Sequence, residues 1–192
     1  MKDHTFREKV HHIMQELDLK SNTKDKKSIE DLLVRMHEEN LLPRDILNLS
    51  PEFITALYNH GCQLFQSGKY NHALGIFYFV QEIDGHSFRY NMAIAACYHY
   101  LKDYTGAIHY YRIAAYNDPA NPLPHFHLYD CFIKIKNPLT ALNEINAVAY
   151  LTNKKPKYTA LHEKASLELN SLKEDLKKNH PLNQIKEQKQ VK

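Results

Sequence analysis

No apolar run in the chain approaches the length needed to span a bilayer. The first residues, Met1-Lys2-Asp3-His4-Thr5-Phe6-Arg7-Glu8, lack the apolar stretch of a secretory signal. The 5 glycines never gather into a phosphate-cradling loop, so no nucleotide site is indicated. Three cysteines, an odd number, give no disulfide framework and fit a reducing compartment. No stretch alternates apolar and polar residues in the manner of a strand, and the chain reads as all-helical. Residues 51–152 hold 6 Lys/Arg and 7 Asp/Glu, whereas residues 153–192 hold 10 and 5, so the excess positive charge is C-terminal. That segment contains a single aromatic residue, Tyr158, and lacks the interleaved aromatics that nucleic-acid binding uses. A soluble intracellular protein is expected, with no nucleic-acid partner, no stable membrane association and no cofactor. At 192 residues it is one domain with tails, long enough to bury a core.

What the chain does contain is a repeat. Ala73, Ala107 and Ala141 lie 34 residues apart. Around them the first unit runs Leu57, Gly61, Leu64, Gly68, Tyr70, Ala73, Phe77, Val80. The second runs Asn91, Ala95, Tyr98, Lys102, Tyr104, Ala107, Tyr111, Ala114, Pro119, and the third His125, Tyr129, Phe132, Lys136, Pro138, Ala141, Ile145, Val148. Agreement of so many positions in phase resembles the tetratricopeptide repeat, in which antiparallel helices A and B pack tightly and the next pair stacks on them. Small residues at 61, 95, 73, 107 and 141 let backbones approach; Leu64, Phe77, Tyr98, Tyr111, Phe132 and Ile145 fill the space between. The fold class is all-α, with three tandem repeats in a right-handed superhelix.

Residues 1–49 form an N-terminal helical region, 50–152 the repeats, 153–179 a capping helix and 180–192 a disordered basic tail. Within the first region, Phe6, Val10, Ile13, Met14 and Leu17 make one apolar stripe. Ile29, Leu32, Leu33 and Met36 make a second, opened by Ser28 as N-cap after a polar linker at 20–27. That second stripe either packs on the first repeat or mediates self-association. Ser50-Pro51 starts the first A helix, and Asn137-Pro138 starts the third B helix. Ser67-Gly68 turns repeat one, and Pro119 to Pro124 is a stiff corner between repeats. Tyr129 stands where a small residue belongs, which predicts a wider third helix pair. Leu161, Ala165, Leu169, Leu172 and Leu176 give the end helix its apolar face.

In such arrays the A helices line a concave groove, and the repeat phase places nine residues there: Tyr58, Cys62 and Phe65; Met92, Ala96 and His99; Phe126, Asp130 and Ile133. The set is mostly apolar. A clamp for a free carboxylate would need Lys, Arg and Asn at these places, and only Arg89 comes close. Among the 13 histidines the best metal or catalytic cluster is His125, His127, Asp130 and Cys131, but no second ligand pair stands at a convincing spacing. Cys97 and Cys131 read as small core residues, too far apart for a disulfide. A Cys-His nucleophile would still need an orienting group and an oxyanion site. No metal, and no enzyme activity, is expected.

Four segments carry a closer resemblance. They are Leu57-Tyr58-Asn59-His60-Gly61-Cys62-Gln63-Leu64-Phe65-Gln66-Ser67-Gly68-Lys69-Tyr70, then Ala95-Ala96-Cys97 with Tyr104-Thr105-Gly106-Ala107-Ile108-His109-Tyr110-Tyr111, and Pro124-His125-Phe126-His127-Leu128-Tyr129-Asp130-Cys131. Together they are similar to the class II chaperones of bacterial type III secretion, the SycD/LcrH-type translocator chaperones, over roughly residues 50–152. The resemblance implies a bacterial cytoplasmic chaperone without ATPase activity. Such a protein holds hydrophobic translocator or effector subunits through a short Pro-x-Leu-x-x-Pro-like segment in the groove. Tyr58 and Phe65 match aromatic groove positions of the family, and Cys62 replaces a bulkier aromatic. The family's N-terminal dimerisation region corresponds best to residues 28–42, which places a homodimer contact on Ile29, Leu32, Leu33 and Met36. The other reading left open is a general repeat adaptor in a secretion or signalling complex.

Overall fold

The computed structural model describes His11 and residues 23–178. The stripe from Phe6 to Leu17 and the tail from residue 180 lie outside the described residues. Among the described residues there are nine α-helices and no strand: α1 (Thr23–Glu38), α2 (Pro43–Ile46), α3 (Pro51–Gln66), α4 (Tyr70–Asp84), α5 (Phe88–Tyr100), α6 (Tyr104–Asn117), α7 (Leu123–Lys134), α8 (Pro138–Thr152) and, after a 3-10 turn at Pro156–Tyr158, α9 (Thr159–Lys178). Pairs α3/α4, α5/α6 and α7/α8 are the A and B helices of three repeats, each stacked on the next, with α9 against α8. Among the described residues no helix is long and apolar enough to cross a membrane.

The helix starts follow local hydrogen-bonding chemistry. Ser50 Oγ accepts from the Phe53 amide at 3.2 Å, Ser87 Oγ from Tyr90 at 3.3 Å, Asp103 Oδ1 from Gly106 at 2.9 Å and Asn137 Oδ1 from Thr140 at 3.2 Å. Each cap satisfies an amide that the first turn would leave unpaired. Pro122 and Pro124 are fully buried at the start of α7, so the proline run is an inter-repeat corner as expected. The Ser28 cap is not observed: α1 begins at Thr23, within the segment read as linker. Lysine is a good helix former, and Lys24, Lys26 and Lys27 extend the helix despite their polarity. In α1 the fully buried residue is Val34, whereas Ile29 and Leu33 are 39% and 38% exposed.

All three A helices end in one backbone motif. The αL position falls on Gly68 (φ 74°), Lys102 (φ 64°) and Lys136 (φ 57°), again 34 residues apart. Paired reverse bonds close each turn: Gly68 N to Phe65 O (3.0 Å) with Lys69 N to Leu64 O (2.9 Å), and the same pattern at Lys102/Asp103 and Lys136/Asn137. This is the Schellman arrangement that satisfies the last helical carbonyls. Glycine adopts it freely, whereas lysine does so against its side-chain sterics.

Packing between A and B helices rests on an exchange of volume. Gly61 faces Phe77 so closely that an added Cβ would lie 2.6 Å from the ring. Repeat two puts Ala95 and Tyr111 in the same places, and repeat three Tyr129 and Ile145, all buried. The third pair is therefore not wider, contrary to expectation. Helices α7 and α8 pack as extensively as α3 and α4, with the large Tyr129 on the A helix met by the smaller Ile145 on the B helix. The Tyr129 hydroxyl donates to Glu168 Oε2 of α9 at 2.8 Å. Ala165 and Leu172 of α9 are buried against the last repeat, with Leu161, Leu169 and Leu176 partly so, as the end-helix stripe predicts.

Between repeats two and three the His127 ring stacks on Tyr111, with centroids 5.0 Å apart and planes 10° from parallel. Burial, and secondarily the neighbouring His99, push the His127 imidazole below its ordinary value of 6.5; Asp130 acts in the opposite sense. A histidine held neutral in this way contributes stability that is present above its unfolded pKa and lost as pH falls. Three outcomes are expected. Gly68→Ala should lower stability by about 1 kcal/mol in chemical denaturation, and Lys102→Gly should raise it by up to about 1 kcal/mol. Replacing His127 with Phe keeps the stacked ring and removes the titration, so thermal stability should decline less between about pH 7.5 and 5.5 than in the parent chain.

Candidate ligand groove

The A helices α3, α5 and α7 lie side by side. Because position 61 is glycine, Phe77 reaches up from α4 toward the space between α3 and α5. Because position 62 is only a cysteine and position 96 an alanine, that space stays open. The result is a cavity of about 350 Å³ lined by Tyr58, Cys62, Phe65 and Gln66 of α3, Phe77 of α4, and Met92, Ala93 and Ala96 of α5. Its wall is predominantly apolar, as suits a hydrophobic anchor.

Aromatic contacts hold this wall in place. Tyr58 packs on Phe77 (5.3 Å) and Tyr90 (5.8 Å), and the Arg89 guanidinium sits 3.5 Å over the Tyr58 ring. Burial raises the Tyr58 phenol above its ordinary value, and the Arg89 hydrogen bond opposes it. At the turn side, Phe65 meets Tyr70 edge-on at 5.2 Å and Tyr100 at 5.1 Å, while Tyr70 and Tyr100 stack at 5.0 Å. Tyr100 is 60% exposed and forms a rim there.

Of the nine residues placed in the groove by repeat phase, Tyr58, Cys62, Phe65, Met92 and Ala96 line this cavity. The other four stand elsewhere. His99 Nε2 donates to Asp130 Oδ2 at 2.8 Å, bridging α5 and α7. Phe126 packs beside Tyr129 and lies under Lys164 of α9, at 6.4 and 4.9 Å. Ile133 is exposed near the end of α7. Repeat phase missed Gln66, Phe77 and Ala93. Phe77 comes from a B helix, and the available signal was the size mismatch with Gly61. Ala93 adjoins Met92 on the same helix, and Gln66 follows Phe65.

The histidine cluster disperses into separate contacts. His125 Nδ1 pairs with Glu144 Oε2 at 2.7 Å, His127 stacks on Tyr111, and Asp130 turns to His99. Among the described residues no three metal-ligating side chains converge. His99 Nδ1 lies 3.7 Å from Cys131 Sγ, so thiol, imidazole and carboxylate stand in sequence. That order imitates a nucleophile with its base and orienting acid. The thiol itself is wholly buried, and burial first, then Asp130, pushes it up to about 12. Cys97 is buried likewise and pushed up to about 12. A sealed, protonated thiol lacks the exposure and thiolate character of an attacking nucleophile, and the His99–Asp130 pair joins adjacent helices.

Residues 56–80 and 90–121 match the tetratricopeptide repeat family model. The low calcium response locus protein H of Yersinia pseudotuberculosis is 26% identical over 125 residues, 65% of this chain and 74% of that protein. The Yersinia enterocolitica type III secretion chaperone SycD, solved in complex with a peptide of the translocator YopD, is 26% identical with a TM-score of 0.63, covering 66% of this chain and 97% of that one. An alternative dimer of the same Yersinia enterocolitica translocator chaperone is 27% identical with a TM-score of 0.62, covering 68% and 98%. Repeat phase, helix order and these likenesses agree: the chain carries the tetratricopeptide repeat and is similar in sequence and fold to the class II, SycD/LcrH-type translocator chaperones of type III secretion.

Proposed function

We propose that this chaperone acts in the bacterial cytoplasm, holding a short extended Pro- and Leu-containing segment of a secreted translocator or effector in the concave groove and keeping that partner soluble before export. The observation that carries the reading is the apolar cavity between α3 and α5, on the fold that in SycD is seen with a translocator peptide. One buried Leu or Pro anchor contributes roughly 1.5–3 kcal/mol. Two or three anchors offset the cost of ordering an extended segment. Capture needs no catalysis and no cofactor: the same apolar surface that would aggregate the partner is covered by a preformed wall.

We further place self-association on α1, through Ile29, Leu32, Leu33 and Met36. Ile29 and Leu33 are exposed there, and among the described residues α1 makes no extensive contact with the repeats.

Cys62→Trp fills the cavity from a position that tolerates a larger side chain on its open side. In co-expression with a candidate translocator, this variant should cut the soluble partner at least tenfold with helical content unchanged by circular dichroism. A folded variant that still solubilises the partner would shift recognition to the convex face and restore the adaptor reading. For the dimer, Ile29→Asp with Leu33→Asp in the full chain should give a monomer by light scattering; an unchanged dimer moves the contact off α1.

A further inference from the structure

Arg89, Met92, Ala96 and His99 follow one another along α5 at spacings of three, four and three residues, and so form one stripe on that helix. At one end the Arg89 guanidinium rests on the Tyr58 ring, exposed, and has no carboxylate partner among the described residues. In the middle, Met92 and Ala96 belong to the cavity wall. At the other end His99 holds one oxygen of Asp130, whose side chain remains 42% exposed with its second oxygen open. The groove therefore runs from a cation, across an apolar cavity, to a carboxylate.

Building on the groove reading above, we propose that this polarity selects the bound segment: a carboxylate side chain seated at Arg89, an apolar anchor in the cavity, and a Lys or Arg seated at Asp130. Both ends are preorganised, Arg89 by the aromatic face beneath it and Asp130 by the His99 bond. Along α5 the ten-residue step from Arg89 to His99, whose ring holds Asp130, rises about 15 Å at 1.5 Å per residue, which an extended strand running along that stripe covers in about five residues at 3.3 Å each. Acid and base in the segment thus stand about five positions apart, flanking the anchor. Neutral segments retain the apolar contribution and lose the orientation. Arg89 alone does not make a clamp for a chain terminus, which needs several cations; one guanidinium suits one side-chain carboxylate.

The test uses the full-length chain and three synthetic peptides with one Pro- and Leu-containing core. Glu and Lys flank the core five positions apart in either order, and a third peptide carries Gln at both places. Calorimetry at low salt should show one charged order binding about three- to tenfold tighter than the neutral peptide, with the advantage fading at high salt. Arg89→Gln and Asp130→Asn should each shrink the ratio of charged-peptide to neutral-peptide affinity measured within the same variant, whatever either change does to the apolar wall itself. The Arg89→Glu/Asp130→Lys double variant should prefer the opposite order. Equal binding of all three peptides by parent and variants would overturn the polarity and leave the apolar groove standing. Absence of binding by every peptide would overturn the groove reading and this one with it.

Discussion

A missing side chain at one position governs most of what this fold offers a ligand. Gly61 lets the Phe77 ring press against the backbone of α3, at a distance where even a methyl group would collide. That contact draws α4 tight beneath α3 and puts an aromatic floor under the gap between α3 and α5. A close-packed interior transmits any added volume to its neighbours, so a larger residue at 61 would displace Phe77 and with it the floor of the cavity. The later repeats solve the same spatial problem with other pairs, Ala95 with Tyr111 and Tyr129 with Ile145. In the first, the bare A helix lets the B-helix ring form part of the cavity lining.

The polar residues divide into two kinds by what surrounds them. His99, Asp130 and Cys131 tie adjacent repeats together, and the wholly buried thiol among them is chemically quiet. Near α2, Arg44 and the Tyr90 hydroxyl both engage Asp84, joining the short N-terminal helix to repeats one and two. Such half-buried bonds fix how neighbouring helices sit more than they add stability, since their desolvation cost offsets much of the attraction. The groove geometry is thus set by contacts between helices rather than by the apolar cavity wall alone.

Much of this was legible in the chain because a 34-residue period constrains many positions at once. The alanines, Gly68, the caps at Ser50 and Asn137 and the stripe of the end helix each reflect local chemistry that reads without tertiary knowledge. The misreadings within the repeats share one cause, that pairwise fit is invisible in a single position. Tyr129 was recognised as oversized, but its consequence depended on Ile145, sixteen residues on. Phe77 was assigned to filling, and its exposure to the cavity depended on Gly61. The pairing of His99 with Asp130 joins different phases of adjacent repeats, and a strict period cannot show it. Position 28 failed differently: a lysine-rich stretch looks like linker by polarity while favouring helix by backbone preference.

The three thiols differ in surroundings, and that difference has a practical side. Cys97 and Cys131 are sealed within the packed array, while Cys62 stands partly open in the cavity wall. An alkylating reagent added to the folded chain meets one accessible sulfur, and it meets it at the place where an anchor would lodge. The cavity thereby carries an intrinsic chemical reporter, through which occupancy becomes a rate of labelling on the unaltered protein.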